Sequence, residues 1–313
     1  MPNRDAAATS SNVDVIGLGE NSVDRVLIVP QLPGTAMKLR VSAPTRSCGG
    51  QVATSMAACA ALGLRAAYVG SVGDDGDGRL VRDTLIASGV DVAHLTTIHG
   101  ATTRWATILI DQSTGERVVL WDRDAALSLT EDQVSAVDVT MARVVHVDDT
   151  DIAASIRLAL AARRAGRLVT TDIDSSSDPR DAMALLKLAT HPIVSEHALA
   201  ILSGERDAER GLRALRSRCD GVLCVTLGRH GAMALDGETL VMADGFSVTA
   251  VDTTGAGDVF RAGFIAALLA ERDLAYVLRF ANAAAALSCT KPGAIGGVPT
   301  LEDVRALLDT SDR

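Results

Sequence analysis

The segment Val251–Phe260 reads VDTTGAGDVF and is the most informative stretch of this 313-residue chain. It follows a predicted strand at Phe246–Val251 and precedes an apolar run of helical period at Ala262–Leu269. The small residues at Gly255–Gly257 would let a ligand approach the backbone closely, and their N–H groups would lie at a helix N-terminus, where the helix dipole favours anions. The block therefore predicts a strand, a small-residue turn and a helix, with an anion site at the turn.

The acid that follows this turn, Asp258, is the predicted catalytic base. In phosphoryl transfer the attacking hydroxyl needs a proton acceptor, and the transferred group needs positioned donors. Asp258 would accept the proton while the backbone of Gly255–Gly257 holds the phosphoryl oxygens. An aspartate at this position could also serve simply as a helix cap, but the whole block favours the catalytic interpretation.

Outside this block, β-rich runs alternate with Ala- and Leu-rich runs whose apolar residues recur three and four apart. The predicted strands are Val13–Gly19, Arg65–Gly70, Val144–Asp148, Leu168–Asp172, Pro192–Ser195 and Val222–Leu227. The predicted helices are Thr54–Leu62, Arg79–Ser88, Ile152–Ala165, Ala182–Ala189 and Glu209–Arg218. Several strands are apolar almost throughout, as parallel strands buried on both faces are. The pattern thus predicts an α/β fold with a three-layer α/β/α core and a mostly parallel sheet.

Two regions interrupt the alternation with strands that are not separated by helices. Arg25–Val29 with Lys38–Val41, and Arg104–Asp111 with Arg117–Trp121, predict a small separate β-sheet, either a lid or an edge, inserted into the core. The predicted division is a core of residues 12–20, 48–98 and 126–313, a β lid of residues 21–47 and 99–125, and a flexible tail of residues 1–11.

The composition excludes several classes of protein. Lys and Arg number 30 and Asp and Glu 39, and the resulting net charge of −9 argues against nonspecific binding to nucleic acid or anionic membranes. The five cysteines lack metal-ligand spacing and are expected to be reduced. No stretch approaches the roughly 18 apolar residues that span a bilayer, and the N-terminus does not read as a signal peptide, so the expected location is the cytoplasm.

The signature Asp252–Phe260 closely resembles the C-terminal signature of the ribokinase/PfkB family of carbohydrate kinases. Further resemblance lies in GGQVAT at Gly49–Thr54, VGSVGDD at Val69–Asp75, VTLG at Val225–Gly228 and ANAAA at Ala281–Ala285. The resemblance extends over almost the whole chain. It implies a ribokinase-like fold and ATP-dependent phosphorylation of a hydroxyl on a small sugar-like molecule.

The resemblance also implies roles for individual residues. The catalytic base falls on Asp258, and the anion hole falls on Gly255, Ala256 and Gly257. Substrate-binding positions fall on Asp24, Gly49, Gly50, Gln51 and Thr54, with Arg104 on the lid as a candidate to hold an anionic group of the substrate. Nucleotide-binding positions fall on Ser195, Thr226, Gly228, Gly231 and Asn282.

Metal ions enter through the same resemblance. Mg²⁺ would bridge the phosphates of ATP. Many family members also bind a monovalent cation beside the anion hole, and the corresponding ligands here are Asp252 and Thr254, with K⁺ as the candidate ion.

Three positions depart from the family pattern. Thr54 stands where Asn is common, so contacts with the sugar are expected to differ there. The segment Ser195–Ala198 stands where the family has NxxE, so the handling of magnesium is expected to differ, and ketohexokinase-like members resemble this chain in having Ser at the first position. Arg261 stands where a small or polar residue, often Asn, is frequent.

Alternatives remain open from the sequence alone. A nucleoside kinase would carry the same signature, and a noncatalytic sugar or nucleotide sensor could share the fold. A nicotinamide-dependent oxidoreductase is suggested only by Gly17 and Gly19 after a strand, and the third glycine of that motif is replaced by Ser22. A homodimer through the lid and a monomer are both compatible with the sequence, and the identity of the sugar stays open.

Overall fold

A computed structural model describes residues 13–114, 116–174 and 178–311. The predicted flexible tail, residues 1–11, lies outside the described residues. Within these ranges the strands, in chain order, are β1 (Val15–Leu18), β2 (Ser22–Val29), β3 (Ser42–Gly49), β4 (Ala66–Gly73), β5 (Asp91–Ile98), β6 (Trp105–Asp111), β7 (Arg117–Asp122), β8 (Val144–Asp148), β9 (Leu168–Asp172), β10 (Ile193–Ser195), β11 (Leu223–Thr226), β12 (Ala232–Asp236) and β13 (Thr239–Ala243). The α-helices are α1 (Gln51–Ala61), α2 (Gly76–Ala87), α3 (Glu131–Ser135), α4 (Ile152–Arg164), α5 (Pro179–Leu188), α6 (Glu196–Ser203), α7 (Ala208–Arg216), α8 (Ala256–Leu269), α9 (Leu274–Ser288) and α10 (Leu301–Ser311).

The central sheet is built mainly from parallel strands. Five of them pair in the order β5-β4-β1-β8-β9, and four more follow in the order β10-β11-β12-β13. Parallel bridges from Thr170 to His191 and from Ile173 to Val194 connect the two groups into one surface. Strands β12 and β13 pair in antiparallel fashion at one edge. Every residue of β1, β4 and β8 is buried, as the apolar composition of strands covered on both faces predicts.

Helices cover both faces of this sheet. One hydrophobic cluster contains residues of α1, α2, α8, α9 and α10, and a second contains residues of α3, α4, α5, α6 and α7. The three-layer α/β/α prediction is therefore confirmed. The low aromatic content is consistent with the packing, since Ala, Val, Leu and Ile provide most of both clusters.

A second sheet stands apart from the core and has the order β3-β2-β6-β7. Its strands come from the two chain segments that were predicted to form the inserted sheet. Strand β2 pairs antiparallel with β3 and parallel with β6, and β7 forms one edge. Strand β3 continues past residue 47 to Gly49, and its last residue is in register with Ser22.

Parts of the predicted secondary structure were wrong or incomplete. Residues Lys38–Val41 form no strand, because the ladder with β2 uses Ser42–Gly49 instead, and Pro44 is tolerated there since β3 is an edge strand. Residues Phe246–Val251 form no ladder either, although their alternating apolar pattern is typical of a strand. Strands β5, β12 and β13 and helices α3, α6 and α10 were not predicted.

Two further features agree with the composition. All five cysteines are free thiols, four of them buried. Within the described ranges, no helix combines the length and the apolarity that crossing a bilayer requires.

Candidate active site

Acidic residues gather at the carboxyl edge of the central sheet, where α/β proteins bind ligands. Asp148 and Asp172 end β8 and β9 and are register partners. Glu20 follows β1 by two residues, and its backbone N–H donates to Asp148 Oδ2 at 2.6 Å. At the next strands along the sheet, Ser195 and Thr226 are paired in the same way. Residues that are far apart in sequence therefore lie side by side along the carboxyl edge of the central sheet.

Burial makes these carboxyl groups unusually basic. The pKa of Asp148 is raised well above its ordinary value by burial and then by the charge of Glu20. Burial also raises the pKa of Glu20, against the opposing effect of Arg104. Burial raises the pKa of Asp172 to about 7, although the neighbouring Arg261 guanidinium lowers it. This edge consequently holds Asp172, whose pKa lies near neutral pH, beside two further carboxyl groups whose pKa burial raises above the ordinary range.

Helix α8 begins at this edge with an open N-terminus. Its N-cap is Gly255, with φ 80° and ψ 0°, and no side chain of the described residues caps it. In contrast, Asp75, Ser195 and Asp273 cap α2, α6 and α9 through their side chains. A Cβ at Gly255 would lie 2.8 Å from Ala294 Cβ, so both the backbone conformation and the space require glycine. Within this first turn the Ala256 N–H donates to the Thr253 carbonyl at 3.3 Å, and an anion would approach the side-chain-free N-terminus around it.

Asp258 lies in this first turn and lines a cavity of about 330 Å³. Gly255, Gly257 and Thr254 line the same cavity. The pKa of Asp258 is raised well above its ordinary value, first by burial and then by the charge of Asp172, while Arg261 opposes the rise. The hydroxyl of Ser55 on α1 donates to the Asp258 carbonyl at 3.1 Å and ties the two helices together.

The second sheet contributes to the wall of this cavity. Ile108 of β6 and Val119 of β7 line it, as does Gln51, the first residue of α1. Two aliphatic side chains of the inserted sheet therefore share this cavity with the acid of α8.

A larger groove of about 960 Å³ adjoins the cavity. Gly228, Gly231 and Asn282 line it, together with the apolar side chains of Phe246, Val248 and Phe260. Four lining residues belong to both spaces, namely Ser195, Thr226, Thr253 and Gly257. The alternation in Phe246–Val251 that suggested a strand reflects side chains that face this groove from an extended segment without a ladder.

Two predicted nucleotide-binding side chains also hold the backbone. The amide of Asn282 donates to the carbonyl oxygens of Ala243 and Asp244, at 2.9 and 3.1 Å, and so holds the start of the groove-lining segment. The hydroxyl of Ser195 accepts from the Ala198 N–H at 3.1 Å and caps α6. Asn282 and Ser195 both line the groove, and these hydrogen bonds to backbone atoms hold their side chains in position.

The predicted substrate-binding residues surround the start of α1. Asp24 is buried, accepts a hydrogen bond from the Ser22 hydroxyl at 2.7 Å and packs against Gly49, and burial raises its pKa. Gly50 is the N-cap of α1, directly before Gln51. Thr54 is fully buried, and its hydroxyl finds no hydrogen-bond partner among the described residues.

Arg104 does not stand as a free cation. Its Nε lies 2.7 Å from Glu20 Oε1, and the two side chains are 14% and 15% exposed. Its guanidinium also lies 5.5 Å from the centre of the Trp121 ring. Arg104 lines a small separate space of about 20 Å³, together with Glu20 and Arg123. The charge that the sequence suggested for an anionic substrate is therefore balanced within the protein.

The two predicted cation ligands lie just before the N-terminus of α8. Asp252 Oδ1 accepts from the Thr254 N–H at 2.9 Å, and Oδ2 accepts from the Gly293 N–H at 2.8 Å. The carboxylate thus links the signature to the loop before α10. No group of three or more His, Cys, Asp or Glu side chains across residues 13–114, 116–174 and 178–311 is arranged to hold a metal ion.

Sequence reasoning left several cavity residues without a role. Ile108, Val119, Asp174 and Thr253 line the cavity, as does Arg261. Arg261 was noticed only as a departure from a pattern. A more direct indication was available, because it is a charged residue inside the apolar run Val259–Phe264.

Comparisons with known proteins agree with this geometry. The model of the pfkB family carbohydrate kinases matches residues 11–301. The ATP-dependent ribose-1-phosphate kinase of Halopiger xanaduensis is 31% identical, over 95% of this chain and 98% of the relative. The ribokinase of Haemophilus influenzae is 26% identical, over 93% and 97% of the two chains. The structure of Arabidopsis thaliana ribokinase complexed with ribose and ATP superposes with a TM-score of 0.83 at 25% identity, covering 95% of this chain and 98% of that one. The chain belongs to the pfkB family of carbohydrate kinases.

Proposed function

We propose that this enzyme transfers the γ-phosphoryl group of ATP to a hydroxyl of a neutral sugar, with Asp258 as the general base. The observation that carries the proposal is the position of the α8 N-terminus. Gly257 belongs to both the 330 Å³ cavity and the 960 Å³ groove, and Asp258 is the next residue. A sugar in the cavity and a nucleotide in the groove would meet at this turn.

The groove suits an adenine nucleotide. It combines apolar side chains, which would contact the base, with the glycine-rich turn at Gly228–Gly231 and the α8 N-terminus, which would approach the phosphates. Thr226, Ser195 and Asn282 would contribute polar contacts. Mg²⁺ usually retains its own waters and is held largely by substrate phosphates, so the lack of an acidic metal cluster among the described residues fits a magnesium ion that arrives with ATP.

The proposed reaction is an in-line transfer. Asp258 accepts the proton of the sugar hydroxyl as its oxygen forms a bond to the γ-phosphorus, while the bond from that phosphorus to the bridging oxygen of ADP breaks. The N–H groups of Gly255, Ala256 and Gly257 hold the phosphoryl oxygens as charge develops. A pKa raised above the ordinary aspartate range suits a base that works near neutral pH.

The charges around the cavity favour a neutral sugar. Asp172, Asp174 and Asp258 line the cavity, the cavity-lining Arg261 is paired with Asp172, and Arg104 is paired with Glu20. A phosphate or carboxylate on the substrate would therefore meet a carboxylate-rich wall whose arginine is already paired. Asp24 would instead accept hydrogen bonds from sugar hydroxyls beside the close backbone of Gly49 and Gly50, and the unpartnered Thr54 hydroxyl offers a further contact.

The inserted sheet is proposed to act as a lid, and its free edge as a dimer contact. Ile108 and Val119 cover the cavity, and closure would keep water from competing with the sugar as the phosphoryl acceptor. Edge strand β7 also exposes Leu120 and Trp121, which are 53% and 61% accessible. Exposed apolar residues on an unpaired strand edge favour pairing with a second copy of this chain.

A coupled ADP-release assay tests this function. Mg-ATP and K⁺ would be supplied with a panel of neutral aldoses and ketoses, sugar phosphates, 2-keto-3-deoxy acids and nucleosides. We expect turnover of a neutral sugar and a fall in kcat of about 10²-fold or more in Asp258→Asn, with nucleotide binding retained. Asp83→Asn, a change at an exposed aspartate of α2, is the matched control and should leave kcat unchanged.

Two results would contradict the proposal at different points. Near-normal turnover in Asp258→Asn would remove the base assignment. Preferred turnover of a sugar phosphate would keep the base but overturn the neutral substrate, and Arg104 would then have to exchange Glu20 for the substrate anion.

A further inference from the structure

Arg261 is a buried cation beside the proposed base. It lies three residues after Asp258 on α8, is 3% exposed and stands among the apolar residues of Val259–Phe264. Its Nη2 lies 2.5 Å from Asp172 Oδ1 at the carboxyl end of β9. Taking a guanidinium and a carboxylate out of water costs several kcal/mol per ion, so such a pair is poor evidence for stability alone. The location of this pair indicates a role in the site.

The guanidinium packs against the turn that carries the base. A Cβ placed on Gly257 would lie 2.9 Å from Arg261 Nη1, so the absence of a side chain at Gly257 makes room for the arginine. Arg261, Asp172 and Asp258 all line the cavity of about 330 Å³. Two carboxyl groups and one guanidinium thus share the wall where the sugar hydroxyl would lose its proton.

We infer that Arg261 is a positioning residue for the reaction, and that its ion pair with Asp172 sets how readily Asp258 gives up and accepts a proton. This inference rests on the proposed role of Asp258 as the base. Asp172 and Asp258 line the same cavity, and two carboxylates that share a poorly solvated space repel one another and favour a state in which one proton is retained between them. A guanidinium fixed at one of them offsets this repulsion and favours the ionised base.

The other groups around Arg261 support this assignment because they carry little charge of their own near neutral pH. From β8, His146 has its pKa lowered to about 3 by burial and by Arg261, and it is therefore neutral. From β11, Cys224 has its pKa raised to about 12 by burial, so it remains a thiol. The charged groups that face the site are therefore carboxyls, namely Glu20 after β1, Asp148 and Asp149 at the end of β8, and Asp172 and Asp174 at the end of β9.

The signs of the expected changes follow from these charges. Asp258 must be deprotonated to act, so kcat/KM rises with pH through its pKa. Arg261 lowers that pKa and Asp172 raises it. Arg261→Met should therefore move the acid limb of kcat/KM to higher pH, by roughly one unit or more. Asp172→Asn should move it to lower pH by a smaller amount, because Asp172 is itself partly protonated near pH 7.

The experiment is a set of pH profiles of kcat/KM for the wild type, Arg261→Met, Asp172→Asn, the double variant and Arg261→Lys. The double variant should lie between the two single variants, and Arg261→Lys should remain close to the wild type because it keeps the charge. Asp172→Asn retains an oxygen opposite Arg261, so it tests the inference even where Arg261→Met does not fold. Arg123→Met is the matched control, since Arg123 is an ion-paired, mostly buried arginine near Asp151, and its acid limb should not move.

Opposite shifts in the two single variants would support the inference. A fall in kcat with no shift of the acid limb would overturn it and would indicate that Arg261 contacts the transferred phosphoryl group directly. Failure of the proposed function is recognised separately. Full activity in Asp258→Asn would contradict the assignment of Asp258 as the base. An inactive Asp258→Asn, together with unchanged acid limbs of kcat/KM in the other variants, would contradict only the role of Arg261.

Discussion

Asp75 accepts two hydrogen bonds from Thr103, from its backbone N–H at 2.9 Å and from its hydroxyl at 2.7 Å. Asp75 caps α2 of the core, whereas Thr103 stands two residues before β6 of the second sheet. The same hydroxyl accepts from the Gly73 N–H at 2.9 Å. The GDD part of the VGSVGDD motif therefore fastens the segment that leads from the core into the inserted sheet.

A second attachment reinforces the first. Asp77, in the first turn of α2, forms ion pairs with Arg25 of β2, at 3.0 Å, and with Arg46 of β3. The first turn of α2 and its cap thus hold three parts of the inserted sheet, and a lid that closes would pivot near this point.

Removal of the Thr103 hydroxyl should loosen this attachment. Thr103→Val keeps the shape of the side chain but leaves buried hydrogen-bonding groups of Asp75 and Gly73 without it, which we expect to cost about 1–3 kcal/mol in the free energy of unfolding. The KM for the sugar should rise as the lid becomes less well placed. Urea unfolding and steady-state kinetics measure the two effects. Thr102→Val, at the exposed neighbouring threonine, is the control and should change stability by less than about 0.5 kcal/mol. Equal effects at the two positions would show that the hydroxyl of Thr103 has no special role.

Gly255 can be tested against a glycine of the same conformation. Gly255 has φ 80° and Gly89 has φ 81°, but no atom lies within 4 Å of a Cβ on Gly89. Gly89→Ala should therefore cost only the left-handed strain, about 1–2 kcal/mol. Gly255→Ala should cost at least about 1 kcal/mol more through contact with Ala294, and should lower kcat because the anion hole shifts. The measurements are urea unfolding and kcat, and similar results for both variants would contradict the crowding at Gly255.

Because the imidazole of His146 is buried, we expect the folded protein to lose stability in mild acid. Burial holds its pKa near 3 in the folded state, whereas an unfolded histidine titrates near 6.5. The unfolded chain therefore takes up a proton first, and this contribution to stability is present above about pH 6.5 and declines as pH falls towards 3. Between pH 7.5 and 5.5 the decline should amount to about 1.4 kcal/mol.

Buried carboxyl groups with a raised pKa change the stability with pH in the opposite direction. A comparison of variants that differ only at a histidine separates the contribution of that histidine from theirs. His146→Gln should lose less stability than the wild type between the two pH values in urea unfolding. His197→Gln, at an exposed position of α6, should behave as the wild type does. An unchanged pH dependence in His146→Gln would mean that His146 binds protons equally in the folded and unfolded states, which would contradict a pKa lowered by burial.

The monovalent cation can be tested through Asp252. Asp252→Asn leaves one acceptor oxygen in place of two, so either the Thr254 or the Gly293 N–H loses its partner. Hydrogen bonds to a charged acceptor contribute about 1.5–3 kcal/mol, and we expect the K⁺ concentration for half-maximal turnover to rise roughly tenfold or more. Asp236→Asn, at an exposed position, is the control. A wild-type turnover rate that does not depend on the K⁺ concentration would contradict the cation proposal.

The dimer proposal predicts a dependence on the edge of β7. Leu120→Glu should convert a dimer to a monomer, because a charge placed in an apolar contact must be desolvated. Ile201→Glu changes an equally exposed apolar residue on α6, 46% accessible, and should leave the dimer intact. Light scattering at several protein concentrations distinguishes the two, and a monomeric wild type throughout would rule out the contact.

Local patterns in the chain determined the main architecture. Uniformly apolar runs predicted the buried parallel strands, helical periodicity predicted most helices, and VDTTGAGDVF predicted a helix N-terminus with an acid in its first turn. These features depend on neighbours in sequence, so they can be recognised without the fold. The same approach failed at Lys38–Val41 and Phe246–Val251, because a strand exists only where a second strand supplies its hydrogen bonds, and that partner is chosen in space.

Only the tertiary structure decided the chemistry around the base. Parallel register brings Asp148 beside Asp172, although 24 residues separate them in sequence. Helix α8 places Arg261 against Asp172, and the residue before β6, Arg104, lies against Glu20, so both arginines are paired with largely buried acidic residues. The sequence contains all of these charges, but Coulomb interactions depend on distance and on burial, and both are set by how the strands and helices pack.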